Sequence, residues 1–145
     1  GFTKHSNQLP LFDPEVSNAA GGDNNITYYH SHWQLAIDEA LVIESEIPKC
    51  DHWNFQLNNY WMESLDYRYF EICVNKGNAA LMRDGRVRVV VCAEDPGLPD
   101  TNWLDTCHHL QGTMCWRWYR AEIPHAECPQ PQCRIVKMSE LKDLD

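Results

Sequence analysis

Apolar and polar residues alternate with a period of two along much of the chain after Ile26. In the segment HWNFQLN, Trp53, Phe55 and Leu57 would project to one side of a strand and the polar residues between them to the other. Runs of this kind, rich in aromatic and β-branched residues and separated by turn formers, predict β-strands. The expected strands are 27–35, 39–47, 53–60, 69–75, 79–82, 86–93, 112–121 and 134–137.

Local signals refine three of these segments. Residues 39–47 have the propensity of a helix, but the compact apolar run Leu41–Val42–Ile43 and the following Pro48 favour a strand. The Asp-Gly pair in Arg83–Asp84–Gly85 predicts a hairpin turn between two strands. Residues 139–144 are expected to form a short C-terminal helix with Ser139 as the N-cap.

Seven or eight short strands with little helix predict an all-β protein, an antiparallel β-sandwich or barrel. Residues 1–25 contain many turn formers and predict an irregular N-terminal arm, whereas residues 26–145 form one sandwich domain. The arm carries Phe2, Leu9, Leu11 and Phe12, which would pack on the domain itself or on a neighbouring subunit. The second possibility predicts a homo-oligomer, most simply a homodimer. The expected core comprises Leu41, Ile43, Trp53, Phe55, Leu57, Val87, Val89, Val91, Met114, Trp116 and Trp118.

The charge narrows the range of partners. The formal net charge is −9, and residues 1–72 carry three basic and eleven acidic side chains. Such a surface repels phosphate backbones and anionic membranes, so we expect no nucleic-acid or membrane partner. No apolar stretch approaches the roughly 20 residues of a membrane-spanning helix. The sequence therefore predicts a soluble, acidic protein.

The seven cysteines indicate the redox environment. An odd count is unusual for a disulfide framework, and Cys73, Cys92 and Cys115 lie inside expected strands, where a free cysteine acts as an apolar filler. This pattern, with a polar rather than signal-like opening segment, favours reduced thiols and a cytoplasmic protein. Cys128 and Cys133 flank a proline-rich loop and could pair in an oxidising compartment.

Two histidines suggest a possible metal site. His30 and His32 are two residues apart in an expected strand, so both imidazoles could reach one divalent ion such as zinc. A third ligand would come from Glu39, His108, His109 or a cysteine. The alternative is that both histidines are surface or packing residues and that the protein holds no cofactor.

A second group of residues could support catalysis. Glu63 and Asp66 lie close to Arg68, and His108 could be oriented as a base by Asp105. Such a cluster would suit a hydrolase or a metal-assisted enzyme. The same charged side chains could equally form a structural network of ion pairs.

The best candidate for a ligand-binding surface is the polar face of the strand that begins near Trp53. The amides of Asn54, Gln56 and Asn58 offer paired donors and acceptors without charge, and Arg117 would project from a neighbouring aromatic strand. We expect Arg117 to pair with one of the carboxylates named above or with Asp95. Half-solvated sheets often carry similar residues. The candidate ligand-binding residues are Asn54, Gln56, Asn58, Tyr60, Trp61, Trp103 and Arg117.

Three stretches together resemble a known family. They are residues 53–68, residues 83–106, with a DG hairpin, a DPG loop and an NWL segment, and residues 112–122, with an arginine inside a strand. In combination they resemble the domain of unknown function 1214, often the C-terminal domain of longer bacterial proteins. The resemblance spans residues 28–140 and implies a jelly-roll-like antiparallel β-sandwich. It implies no established activity.

These observations together predict a non-catalytic module that binds a sugar-like or other polar small molecule or serves assembly. The alternative is the hydrolase or metal-assisted enzyme that the histidines and carboxylates would support.

Overall fold

The computed structural model describes residues 7–11, 26–58, 73–106 and 110–144. Within these ranges, two short 3₁₀-helices, His125–Glu127 and Met138–Asp143, accompany the strands. The strands are β1 (Ile26–Gln34), β2 (Glu39–Ser45), β3 (His52–Asn58), β4 (Cys73–Asn75), β5 (Val87–Cys92), β6 (Asn102–Asp105), β7 (Gln111–Tyr119) and β8 (Gln132–Lys137).

The strands form two four-stranded sheets. The first sheet has the order β1–β7–β3–β4, and the second has the order β6–β5–β2–β8. All strand pairs are antiparallel except β5 and β6, which run parallel. The predicted all-β sandwich is confirmed, with one parallel pair in the second sheet. The jelly-roll topology implied by the resemblance stays a prediction.

The core lies between the two sheets and confirms the residues that alternation selected. Trp53, Phe55 and Leu57 of β3 are at most 1% exposed, as are the inward residues of β7. The rings of Trp53 and Trp116 stack at a centroid distance of 5.5 Å with 3° between their planes. Trp118 meets Trp116 edge-on at 5.5 Å. Buried aromatic rings of this size supply a large share of the hydrophobic stabilisation.

Strand β5 is buried on both of its faces. Val87, Val89 and Val91 point into the main core, whereas Val90 and Cys92 belong to a second cluster on the other side of the sheet. The C-terminal 3₁₀-helix covers this second side through Leu141, which is 3% exposed. The continuous apolar run 89–93 is therefore explained by a strand covered on both sides.

The described part of the N-terminal arm packs on its own sandwich. Leu9 is completely buried in the main core, and its carbonyl accepts a hydrogen bond from Gln130 Nε2 at 3.1 Å. The backbone N–H of Asn7 donates to the His32 carbonyl at 2.8 Å, and Leu11 forms a bridge with Tyr29. Leu9 is therefore not available for the subunit contact that we considered. Phe2 and Phe12 lie outside the described residues, and the homodimer stays a prediction.

Two local expectations were wrong in the second sheet. Residues 102–105, which are absent from the expected strands, form the parallel edge strand β6. Residues 79–82 form no strand, because only Leu81 makes a bridge, to Val87. The Asp-Gly turn itself is present: Gly85 has φ of 88°, and the Met82 N–H donates to the Arg86 carbonyl at 2.8 Å.

The C-terminal helix also differs from the expectation. It is a 3₁₀-helix that begins at Met138, so Lys137 and not Ser139 is its N-cap. The Lys137 N–H donates to the Glu140 carboxylate at 3.0 Å, which satisfies a backbone donor at the start of the helix. The acidic residue two positions after Met138 therefore fixes the start of this helix.

Candidate functional site

The outer face of the first sheet carries the predicted polar residues. Because the inward residues of β1, β3 and β7 are buried, the residues that alternate with them face away from the core. The strand register places Tyr28, Arg117 and Asn54 in one row across this face. The next row contains His30, Cys115, Gln56 and Cys73. The two rows bring together three of the predicted ligand-binding residues.

Arg117 is held at the centre of this face. Its guanidinium carbon lies 5.8 Å from the centroid of the Tyr28 ring, a cation–π geometry. Its Nη1 donates to Asn54 Oδ1 at 3.4 Å, and Asn54 Nδ2 donates to the Tyr119 hydroxyl at 3.3 Å. Arg117, Tyr28, Asn54 and Tyr119 are all half-buried. The guanidinium is thus fixed between an aromatic ring and an amide, in a partly desolvated position.

His30 adds a neutral imidazole to the same face. Its ring meets Tyr28 edge-on at a centroid distance of 5.7 Å. Burial, together with the nearby positive charge of Arg117, lowers the pKa of His30 from 6.5 to about 4. The ring is therefore uncharged near neutral pH and has one donor and one acceptor nitrogen.

The structure gives limited support to the predicted metal site. His30 and His32 do lie on the same side of β1, as their spacing required. Cys115 is directly opposite His30, but no group of three or more histidine, cysteine or acidic side chains is close enough to hold an ion within the described ranges. Glu39 lies on β2 of the other sheet, where its carboxylate accepts the Ala36 N–H at 2.8 Å. His108 and His109 lie outside the described residues.

Several other predicted residues cannot be placed on this face. Trp103 lies on β6 of the second sheet, so the structure does not bring it together with Asn54 and Gln56. Asp105 also lies on β6, and Asp95 lies in the loop before it, so neither is the partner of Arg117 that we expected. The predicted site residues that fall outside the described ranges are Tyr60, Trp61, Glu63, Asp66 and His108, together with the side chain of Asn58.

The six described cysteines form no disulfide, so Cys128 and Cys133 are not paired with each other. Burial raises the pKa of the Cys92 thiol to about 11 and that of Cys115 to about 12, although Arg117 opposes the shift at Cys115. Neutral thiols are poor nucleophiles. Cys92 and Cys115 are therefore inert apolar fillers, as their strand positions indicated. Cys107 lies outside the described residues.

Sequence reasoning missed one further feature, an open cleft of about 690 Å³ at the edge of the sandwich. Residues of β4 line it on one side, and residues of β6 and the preceding loop line it on the other. The two strands are edge strands of different sheets. The sequence indicated a loop at the turn-rich segment 94–101. It did not indicate that this loop lies beside β4 and lines a cleft.

The fold defines the chain as an all-β sandwich domain whose first sheet carries polar residues on its outer face. It is similar to a crystal structure of an uncharacterized protein from Burkholderia cenocepacia, with 54% identity and a TM-score of 0.87 over 94% of this chain and 36% of that one. It is also similar in fold to a crystal structure of a protein from Vibrio parahaemolyticus, with 15% identity and a TM-score of 0.62 over 78% of this chain and 31% of that one. The chain thus spans about a third of the length of these solved proteins.

No protein-family profile and no curated protein matches the sequence. The solved neighbours carry no information on activity, so the resemblance to the domain of unknown function 1214 stays a prediction. Within the part of the chain that the structure describes, no helix is long and apolar enough to cross a membrane.

Proposed function

We propose that this domain is a non-catalytic module that binds a small polar molecule with a carboxylate or similar anionic group on the outer face of the first sheet. The observation that carries the proposal is the fixed position of Arg117, which stacks on Tyr28 and donates to Asn54. The proposal refines the polar-ligand module that the sequence predicted.

The charge of this face supports an anionic ligand. Among its described residues, Arg117 is a cation and none is a carboxylate, although the whole chain has a formal net charge of −9. A guanidinium has five N–H donors in a planar fork that matches a carboxylate, and Asn54 engages only one of its nitrogens within the described ranges. An anion on this face would therefore meet a positive site that the acidic remainder of the surface does not offer.

The neutral groups around Arg117 would supply specificity. The amide of Gln56 and the imidazole of His30 lie in the row next to Arg117, and the Tyr119 hydroxyl lies on its other side. The Tyr119 hydroxyl accepts from Asn54 Nδ2 and keeps its own hydrogen to donate. Tyr28 contributes an apolar ring that lowers the local exposure of the guanidinium. A small organic acid with hydroxyl or amide substituents fits this set of partners best.

The test is a thermal-shift screen of small hydroxy and keto acids, each paired with the uncharged amide of the same skeleton. A ligand at about 100 times its dissociation constant should stabilise the protein by about 2.7 kcal/mol. We expect acids and not the matching amides to bind. Arg117→Met should weaken the binding of an acid by about tenfold or more, because a charge-assisted hydrogen bond is lost.

Arg83→Met is the matched control. Arg83 is an exposed arginine of the hairpin turn, and its substitution removes the same charge from a different part of the surface. Binding should survive this substitution. Equal binding of acids and amides, an unchanged affinity in Arg117→Met, or no response to any acid would each overturn the proposal.

A further inference from the structure

We infer that the cleft between β4 and β6 is a second binding site, specific for a neutral polyhydroxylated ligand such as a mono- or disaccharide. It adjoins the face that carries Arg117, since Cys73 ends the second row of that face and also lines the cleft, whereas Trp103, Asp95 and Asn78 lie outside both rows. Its volume of about 690 Å³ is in the range of small-molecule sites.

The wall formed by β6 is rigid. The side chain of Asn102 accepts the Ala80 N–H at 2.8 Å and donates to the carbonyls of Ala80 and Arg88 at 2.8 and 3.0 Å. These bonds connect the segment after β4 to the second sheet and fix Asn102, one of the residues that line the cleft. A ligand would therefore enter a site that is already formed, which reduces the entropy lost on binding.

Trp103 presents an apolar surface to this cleft. Its indole Nε1 donates to the Cys92 carbonyl at 3.1 Å, so the polar atom of the ring is satisfied inside the protein. The ring itself is half-buried and lines the cleft beside Leu98. An aromatic ring held in this way can pack against the C–H face of a sugar ring.

The rest of the lining is polar, with Asp95 in the loop before β6 and Asn78 in the turn after β4, and it includes hydrogen-bonding atoms that no described residue engages. Asp95 Oδ1 accepts the Gly97 N–H at 2.9 Å, and Asn78 Oδ1 accepts the Asn75 N–H at 2.8 Å. No described residue donates to Asp95 Oδ2 or accepts from Asn78 Nδ2. A carboxylate oxygen and an amide nitrogen are thus available to accept from and donate to hydroxyl groups.

The charge of the cleft excludes an anion and favours a neutral ligand. Asp95 is the charged residue of the described lining, which contains no lysine or arginine. A cation would be attracted by Asp95, but Trp103 is a single ring and does not form an aromatic cage. An aromatic surface combined with an acceptor and a donor is better matched by a polyol.

The experiment is a titration of the intact chain with a panel of neutral mono- and disaccharides, followed by tryptophan fluorescence and thermal shift. The matching sugar acids and choline are the comparators. Asp95→Asn keeps an oxygen for the Gly97 N–H but replaces Oδ2, and we expect it to weaken saccharide binding about tenfold. Trp103→Ala should weaken binding by about tenfold or more.

Asp100→Asn is the matched control, because Asp100 is exposed in the same loop and does not line the cleft. Asp100→Asn should bind saccharide with the affinity of the natural chain. Arg117→Met should do the same, and this result would show that the saccharide site is distinct from the anionic site. The inference is overturned if no saccharide binds, if choline binds and saccharides do not, if Asp95→Asn retains full affinity, or if Arg117→Met abolishes saccharide binding. Asp95→Asn decides the matter even if Trp103→Ala does not fold.

Discussion

Arg88 and Glu44 form a buried ion pair directly across strands β5 and β2. Arg88 Nε donates to Glu44 Oε2 at 3.1 Å, and the two side chains are 7% and 18% exposed. Arg134 approaches the other oxygen of Glu44 at 3.7 Å from the neighbouring strand. A charged residue can therefore sit in the otherwise apolar strand β5, because its counter-charge comes from the strand next to it.

We expect Glu44→Gln to destabilise the fold by about 3 kcal/mol, because it removes the Glu44 charge from its pair with the buried Arg88 guanidinium. Urea unfolding measures the change. The control is Glu122→Gln, which removes an exposed contact with Lys49 at 3.7 Å between side chains 62% and 84% exposed. Exposed ion pairs contribute little to the free energy of unfolding, so the control should have the same urea midpoint as the natural chain. Equal midpoints for the two variants would refute a structural role for the buried pair.

Two buried tryptophans provide a matched comparison of a hydrogen bond. Trp116 and Trp118 are both 0% exposed in the same core. Trp118 Nε1 donates to the Pro129 carbonyl at 3.1 Å, whereas Trp116 Nε1 has no acceptor within the described part of the chain. Replacement by phenylalanine removes similar apolar volume from each site. Trp118→Phe should therefore be less stable than Trp116→Phe by about 1 kcal/mol in urea unfolding. The reverse order would contradict this assignment.

The low pKa of His30 predicts that stability depends on pH. Between about pH 4 and 6.5 the unfolded chain binds a proton that the native His30 does not, so stability falls as the pH falls through this window. The loss approaches about 3 kcal/mol and then levels off. Among the described residues beside it on this face, Tyr28, Cys115 and Arg117, the guanidinium of Arg117 is the positive charge that lowers the pKa of His30.

His30→Gln removes this titration. The stability difference between the natural chain and His30→Gln, measured by urea unfolding across the pH series, should narrow as the pH falls from about 6.5 to about 4. A constant difference across the series would show that His30 does not titrate in this way.

The buried thiols should react slowly in the native protein. The pKa values of about 11 for Cys92 and about 12 for Cys115 leave almost no thiolate near neutral pH. We expect iodoacetamide to label the peptides containing these residues much faster in urea than in buffer, as measured by mass spectrometry. Fast labelling of Cys115 in the native protein would contradict both its burial and its role as a filler.

The candidate site was only partly visible in the sequence. Period two identified Asn54, Gln56 and Arg117 as outward-facing, because side-chain direction along a strand is a local property. Their meeting on one face depends on β3 and β7 being neighbours, which requires pairing between residues that are 55 to 67 positions apart in the sequence. The Tyr28 ring that supports Arg117 was not identified, because β1 pairs with β7 only through long-range contacts.

The structure does not place Trp103 beside Asn54 and Gln56, because its strand pairs in the other sheet, and local signals do not reveal long-range pairing. Its segment is only four residues long and follows a proline- and glycine-rich loop, so local signals indicated an irregular connection. Pairing with β5 makes it a parallel edge strand of the opposite sheet and creates the cleft beside β4. Parallel strands are joined by a crossover and not by a hairpin, so no hairpin signal in the sequence marks their pairing.

The order of apolar and polar residues by itself determined most of the strands, the core-facing residues of β2, β3, β5 and β7, and hence the sandwich, since burying one face of a two-residue repeat requires a second sheet. Only the tertiary structure decided which strands are neighbours, that Leu9 of the arm belongs to the core, and that Arg117 and Trp103 serve different surfaces. These features depend on contacts between distant segments, which the local alternation of residues does not specify.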